Sequence, residues 1–146
     1  MKKICIICEG QTEPEFVKSI ISPYFYSKNK SIVFPITLPT SPSTNKAHKG
    51  GAMNFDRYKK GIINSLKNKN NTVVSSMIDL YKLDTNFPNY DNSKKVIDKY
   101  KRVEFLEKAI KEDIGKEINT HRFLPYIQLH EFESLLFSDL EGFLCN

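Results

Sequence analysis

The chain has 146 residues, 40% of them hydrophobic and 27% charged, with 22 Lys and Arg against 17 Asp and Glu for a net charge of +5. That length suits one domain with a modest core, so residues 1–146 are expected to form a single domain. No apolar run approaches the roughly 18 to 20 residues that span a bilayer, the short apolar stretch after Lys2-Lys3 runs straight into Glu9 without a small-residue cleavage site, and three cysteines are too few for a disulfide framework.

These exclusions lead us to expect a cytoplasmic protein without a membrane partner. The positive balance permits contact with a polyanion such as nucleic acid. The chain ends on apolar Phe143-Leu144-Cys145, so it is expected to be a piece of something longer.

Lys3 to Cys8 is a nearly continuous apolar run, as in a strand buried on both faces of a parallel sheet. Cys5 and Cys8 are three apart, so on a strand they point to opposite faces and read as small buried hydrophobes. Gly10 breaks the run. Thr12-x-x-Glu15 then reads as a capping box with Pro14 in the first turn. The helix it opens carries Phe16, Val17, Ile20 and Ile21 on one face.

Ser31 to Leu38 is a second strand, and Pro35 places it at an edge or a bulge. A polar loop, residues 39–52, follows. Asn54 is a cap for a helix bearing Phe55, Ile62 and Leu66. Thr72 to Ile78 is a third strand ending on Asp79. After a polar stretch, a helix over residues 101–117 carries Val103, Leu106, Ile110 and Ile114, with Glu104–Lys108 and Glu107–Lys111 as favourable pairs. Arg122 to Leu129 is a last strand, followed by a helix through Leu135, Leu136 and Leu140. This alternation predicts an α/β fold, a mostly parallel sheet with helices on both faces.

In such a sheet, ligands gather at the carboxyl ends of the strands. Three expected strands end in acids: Glu9 with Glu13 beyond it, Asp79, and Glu131 with Glu133. Converging carboxylates repel unless a cation sits among them. Magnesium, or manganese in its place, prefers hard oxygen ligands and can activate water at a phosphoryl centre. Glu9, Asp79, Glu131 and Glu133 are therefore the candidate metal ligands. Glu13 would ligate or orient bound water, and His130 would serve as acid, base or phosphate contact. Each has a plainer reading. Glu13, Glu131 and Glu133 suit the first turn of a helix, Asp79 could open an Asx turn, and His130 could be a hydrogen-bonded structural residue.

Lys46, His48 and Lys49 lie in a basic, glycine-containing loop that could hold phosphates or be solvated. Residues 94–102, with Tyr100 among basic side chains, have the same two readings. No G-x-x-x-x-G-K-[ST] occurs, which excludes a P-loop ATPase.

The runs Glu9-Gly10-Gln11-Thr12-Glu13, Lys49-Gly50-Gly51, Asp79-Leu80-Tyr81 and 125–137, with His130-Glu131-Phe132-Glu133 at its centre, resemble a bacterial family of TOPRIM-related proteins. TOPRIM domains occur in primases, topoisomerases and nucleases of the overcoming-lysogenization-defect type. The resemblance implies a TOPRIM-like fold and magnesium held by a strand-end Glu and an Asp-x-Asp pair. Glu9 matches the first position and Asp79 the first Asp. The second Asp is replaced by Tyr81, which leaves Glu131 or Glu133 to complete the ligands. Such proteins are often encoded beside ATPases, implying an ATPase partner and a part in anti-phage defence. The expectation is a magnesium-dependent phosphodiesterase acting on nucleic acid, with the oligomeric state open and a homodimer among the options. The alternatives are a non-catalytic module binding nucleic acid or an ATPase, and an enzyme cleaving a small nucleotide phosphate.

Overall fold

A computed structural model describes residues 1–10, 12–38, 53–130 and Ser134. Strand β1 is Lys3–Cys8, β2 Ile32–Thr37, β3 Val73–Asp79, β4 Phe123–Leu124 and β5 Ile127–Gln128. The helices are α1 Thr12–Phe16, α2 Ser22–Asn29, α3 Phe55–Lys67, the short α4 Tyr90–Ser93 and α5 Lys99–Gly115. The strands form a five-stranded sheet in the order β2-β1-β3-β4, with β5 pairing β3. Every pairing between these strands is parallel. This is the Rossmann-like, TOPRIM-like class of α/β fold expected from the alternation of elements.

The sheet buries both faces, as its apolar strands require. Cys5, Ile7, Val74, Ile78, Phe123 and Ile127 face one core layer, which Tyr58, Ile62 and Leu66 of α3 and Leu106, Ile110 and Ile114 of α5 complete. Cys8, Val33 and Met77 face the other, under Phe16, Val17, Ile21 and Phe25. Cys5 and Cys8 thus point to opposite faces, and both thiols are buried. The Cys8 thiol is pushed up to about 12, by burial and then by Glu13 nearby, so it stays protonated and inert.

Local rules explain most boundaries. Pro35 sits in β2, an edge strand of the sheet, where a missing N–H is tolerated. The Asn54 side chain accepts from Asp56 N and Arg57 N, capping α3. Asp98 caps α5 in the same way. Between α1 and α2 the helix widens into a π turn, Val17–Ile21, with Ser22 N donating to Val17 O. Pro23 follows at once. A proline there lacks its N–H and would press on the carbonyl four residues back, and a widened turn gives that ring room.

Three expectations need correction. The last strand is two short strands, because Pro125 interrupts the ladder. The side chain of Ser76 fills the gap: it accepts from Tyr126 N at 3.1 Å and donates to Tyr126 O at 3.1 Å. The buried Tyr58 hydroxyl donates to the same serine at 2.9 Å. Glu107 does not pair with Lys111; its carboxylate accepts from Ile127 N at 2.8 Å. Nor do Glu104 and Lys108 form an ion pair. Lys59 instead links α3 to α5, contacting Asp113 and Glu117, each at 2.7 Å.

Ser76 is therefore a single hydroxyl joining β3, α3 and the β4–β5 break. Ser76→Ala leaves the buried Tyr58 hydroxyl and two partly buried backbone groups of Tyr126 without this partner. It is expected to destabilise the fold by about 1 to 3 kcal/mol in guanidinium unfolding. A Ser76→Ala midpoint equal to wild type would contradict this role.

Candidate active site at the carboxyl edge of the sheet

The chain leaves β1 to form β2 on one side and crosses back to form β3 on the other. The strand order reverses between β1 and β3, which opens a crevice beyond their carboxyl ends. Glu9 directly follows β1 and Asp79 ends β3, so both flank that crevice. Glu13 enters it from the first turn of α1.

Three of the candidate acids are thus brought together. Glu13 and Asp79 are each 2% exposed. Between them lies Lys82, which sequence reasoning had not singled out. Its ammonium is 3.3 Å from Asp79 Oδ2 and 3.5 Å from Glu13 Oε1. Lys82 is held in place by its backbone. Leu80–Lys82 forms a 3₁₀ turn after β3, and Met53 N donates to Lys82 O at 2.8 Å. Asp79 makes no capping hydrogen bond to that turn. Asp84, in contrast, is a turn residue whose Oδ1 accepts from Thr85 N at 2.6 Å.

Gly10 has a specific reason to be glycine. A Cβ there would collide with the Glu13 carboxylate. The missing side chain at Gly10 therefore leaves room for the Glu13 carboxylate against the backbone that follows Glu9.

Electrostatics follow from counting charges. Three acids meet the Lys82 ammonium, and Arg57 of α3 also favours the charged form of Glu9. Burial pushes the Glu9 carboxyl up to about 7; Lys82 opposes this, and Glu13 and Asp79 reinforce it. Burial also raises Asp79, outweighing the opposing Lys82. Burial works against charge on Lys82, but Asp79 and Glu13 outweigh it and hold the ammonium above its usual range. Even so, Glu9 Oε2 and Glu13 Oε2 are buried oxygens without a hydrogen-bond partner, and buried Asp79 Oδ2 has the Lys82 ammonium beside it but no well-directed hydrogen bond. Unsatisfied buried carboxylate oxygens are costly, and they are what a cation or a protonated ligand would satisfy.

The other candidates fall differently. His130 is exposed at the end of the described core, and no hydrogen bond to it occurs among the described residues. Glu131, Glu133, Lys46, His48 and Lys49 lie outside the described residues. Tyr81, at the position of the expected second Asp, is 55% exposed, and the Lys82 ammonium lies 5.6 Å from its ring centroid. Among the described residues, no three His, Cys, Asp or Glu side chains form a group spaced to hold a metal ion. Among the described residues, too, no helix is long and apolar enough to cross a membrane.

The Glu9 shift has a signed consequence. Its ordinary value is 4.5 and its folded value about 7. The folded chain therefore binds this proton more tightly than the unfolded chain. The resulting stability is fully present below the ordinary value and is lost as pH rises through 7. Glu9→Gln cannot titrate. Wild type should lose about 1 to 3 kcal/mol relative to Glu9→Gln between about pH 5 and about pH 8, after discounting for solvent screening. Guanidinium unfolding across that range checks this, and parallel pH curves for the two proteins would contradict it.

Searches of the curated proteins and of the solved structures each found no match. Residues 8–145 match a family described as a domain of unknown function, DUF4276. That span holds Glu9, Glu13, Asp79 and Lys82 together, and the chain belongs to the DUF4276 family.

Proposed function

We propose that the carboxyl-edge site is a magnesium-dependent phosphodiesterase centre acting on nucleic acid. The observation that carries this reading is the gathering of Glu9, Glu13 and Asp79 at the crevice where the strand order reverses, with buried oxygens on Glu9 and Glu13 that no hydrogen bond satisfies.

The donor set suits a hard divalent cation. Magnesium is commonly held by one or two carboxylates, with water and substrate phosphate filling the remaining positions, so it does not require a closed protein cage. Glu9 and Asp79 would hold it, with Glu13 ligating or orienting bound water, and Glu131 and Glu133 are proposed as further ligands from the segment after β5. When bound, the metal would supply Lewis-acid activation at the phosphoryl group.

The chain's own residues do the rest. Lys82 carries a positive charge that Asp79 and Glu13 sustain, so it can neutralise a phosphoryl oxygen at the same place. Glu9, with its carboxyl pushed up to about 7, would give up its proton on becoming a ligand, which makes metal binding sensitive to pH near neutrality. Gly10 keeps the Glu13 carboxylate in the crevice. Lys46, His48 and Lys49 are proposed to hold the nucleic-acid backbone. The resemblance to TOPRIM proteins adds the strand-end glutamate and first aspartate to this reading. It also extends the proposal to an ATPase partner and to anti-phage defence.

One observation favours the non-catalytic alternative. Lys82 already bridges two of the acids, as a structural ion pair would. The two readings part in a cleavage assay on DNA and RNA with and without magnesium or manganese. The enzyme reading expects metal-dependent cleavage that Glu9→Gln and Asp79→Asn each reduce by about 100-fold or more. It expects Gly10→Ala to reduce cleavage while leaving the unfolding midpoint near wild type. Absence of cleavage by wild type, or cleavage unchanged in Glu9→Gln, would overturn it.

A further inference from the structure

The connection from β3 to β4 carries a feature that the carboxylate site does not use. Five cations, Lys94, Lys95, Lys99, Lys101 and Arg102, fall within residues 94–102 against the single acid Asp98. Asp98 is spent on capping α5, accepting from Tyr100 N and Lys101 N. The first turn of α5 contains no acid and its last turn no base. A helix dipole favours the reverse arrangement. Further along, Glu104, Glu107, Glu112 and Asp113 outnumber Lys108 and Lys111. The cations are thus collected at the end of the helix where local electrostatics disfavour them.

Two apolar side chains share this turn without sharing the core. Ile97 is 98% exposed and Tyr100 is 72% exposed. Lys99 and Lys101 are exposed and form no ion pair among the described residues. Arg102 is braced, with its Nε donating to Ser93 Oγ at 3.2 Å and its guanidinium 5.9 Å from the Tyr90 ring centroid.

The placement is also informative. β3 ends at the carboxyl edge of the sheet, and α5 carries the chain back to β4, so the first turn of α5 lies toward the edge that holds Asp79. Glu107 already meets Ile127 N, and Ile127 is in register with Ile78 beside Asp79. Lys99 stands eight residues earlier, roughly 12 Å further out along the helix.

We infer that this turn is a docking surface for single-stranded nucleic acid. Lys95, Lys99, Lys101 and Arg102 contact phosphates, while the Tyr100 ring stacks on an unpaired base and Ile97 packs beside it. An exposed ring on a convex turn reaches base faces only where bases are unpaired; in a duplex those faces are hidden in the stack. The inference takes its partner class from the proposed function but does not depend on catalysis.

Fluorescence anisotropy with a labelled single-stranded oligonucleotide and the matching duplex, in EDTA, tests this with the full chain. Wild type should bind the single strand more tightly than the duplex. Lys99→Glu/Lys101→Glu should weaken binding by about tenfold or more and flatten its salt dependence. The same double substitution should leave the melting temperature unchanged or raised, because acids suit that end of α5. Tyr100→Ala should weaken single-strand binding by about fivefold or more. Lys99→Gln/Lys101→Gln provides the milder variant if the charge reversal does not fold. Wild-type affinity in these variants, preference for duplex, or binding only to anionic lipid vesicles would overturn the inference. Loss of metal-dependent cleavage with this binding pattern intact would remove the catalytic reading alone. Single-strand affinity unaffected by Lys99→Glu/Lys101→Glu would remove the docking surface alone.

Discussion

A half-buried lysine ammonium set among buried carboxylates has to be held there by the fold, because each charge alone is expensive to remove from water. Lys82 satisfies part of that demand through Asp79 and Glu13. It does not satisfy all of it, since one buried oxygen on each of Glu9 and Glu13 is left without a hydrogen bond. Burial, reinforced by Glu13 and Asp79 against the opposing Lys82, raises the Glu9 carboxyl to about 7. A site in that condition is unstable by design or useful by design, and the position of the crevice favours use.

The surrounding architecture serves to keep these groups close. β1 and β3 are adjacent, which brings Glu9 and Asp79 to one edge. The missing side chain at Gly10 leaves room for Glu13 to reach the same place. The bridge between Met53 and Leu83 ties the turn carrying Lys82 to the start of α3. On the far side of β3, Ser76 and Glu107 supply hydrogen bonds to the backbone at Tyr126 and Ile127, around the break at Pro125. The break therefore does not loosen the strand that ends in Asp79.

The fold was legible wherever a local rule acted alone. The apolar run of β1, the proline in β2, the Asn54 cap and the approach of β3 to Asp79 all follow from residue chemistry over a few positions. The convergence of Glu9, Glu13 and Asp79 was legible because strand ends in a parallel sheet share an edge. Lys82 was not, since nothing in its local pattern distinguishes it from other lysines in a polar stretch. Only its place three residues after a strand-end aspartate hinted at it. With Tyr81 in place of a second aspartate, the sequence directed attention to Glu131 and Glu133 as the missing partners. The structure puts a cation, Lys82, beside Asp79, while Glu131 and Glu133 lie outside the described residues. The role of Glu107 was hidden for a similar reason: an i,i+4 pair is a local expectation, and a backbone N–H from a distant strand competes with it.

The central claim is that the carboxylates around Lys82 accept a divalent cation. Calorimetric titration of magnesium and manganese near neutral pH, in buffers of different ionisation heat, measures this directly. Binding should release up to about one proton per metal, because a carboxyl held near 7 must give up its proton to become a ligand. Glu9→Gln should bind more weakly and release fewer protons. No binding of either metal, or the same affinity and proton release in Glu9→Gln, would contradict the account.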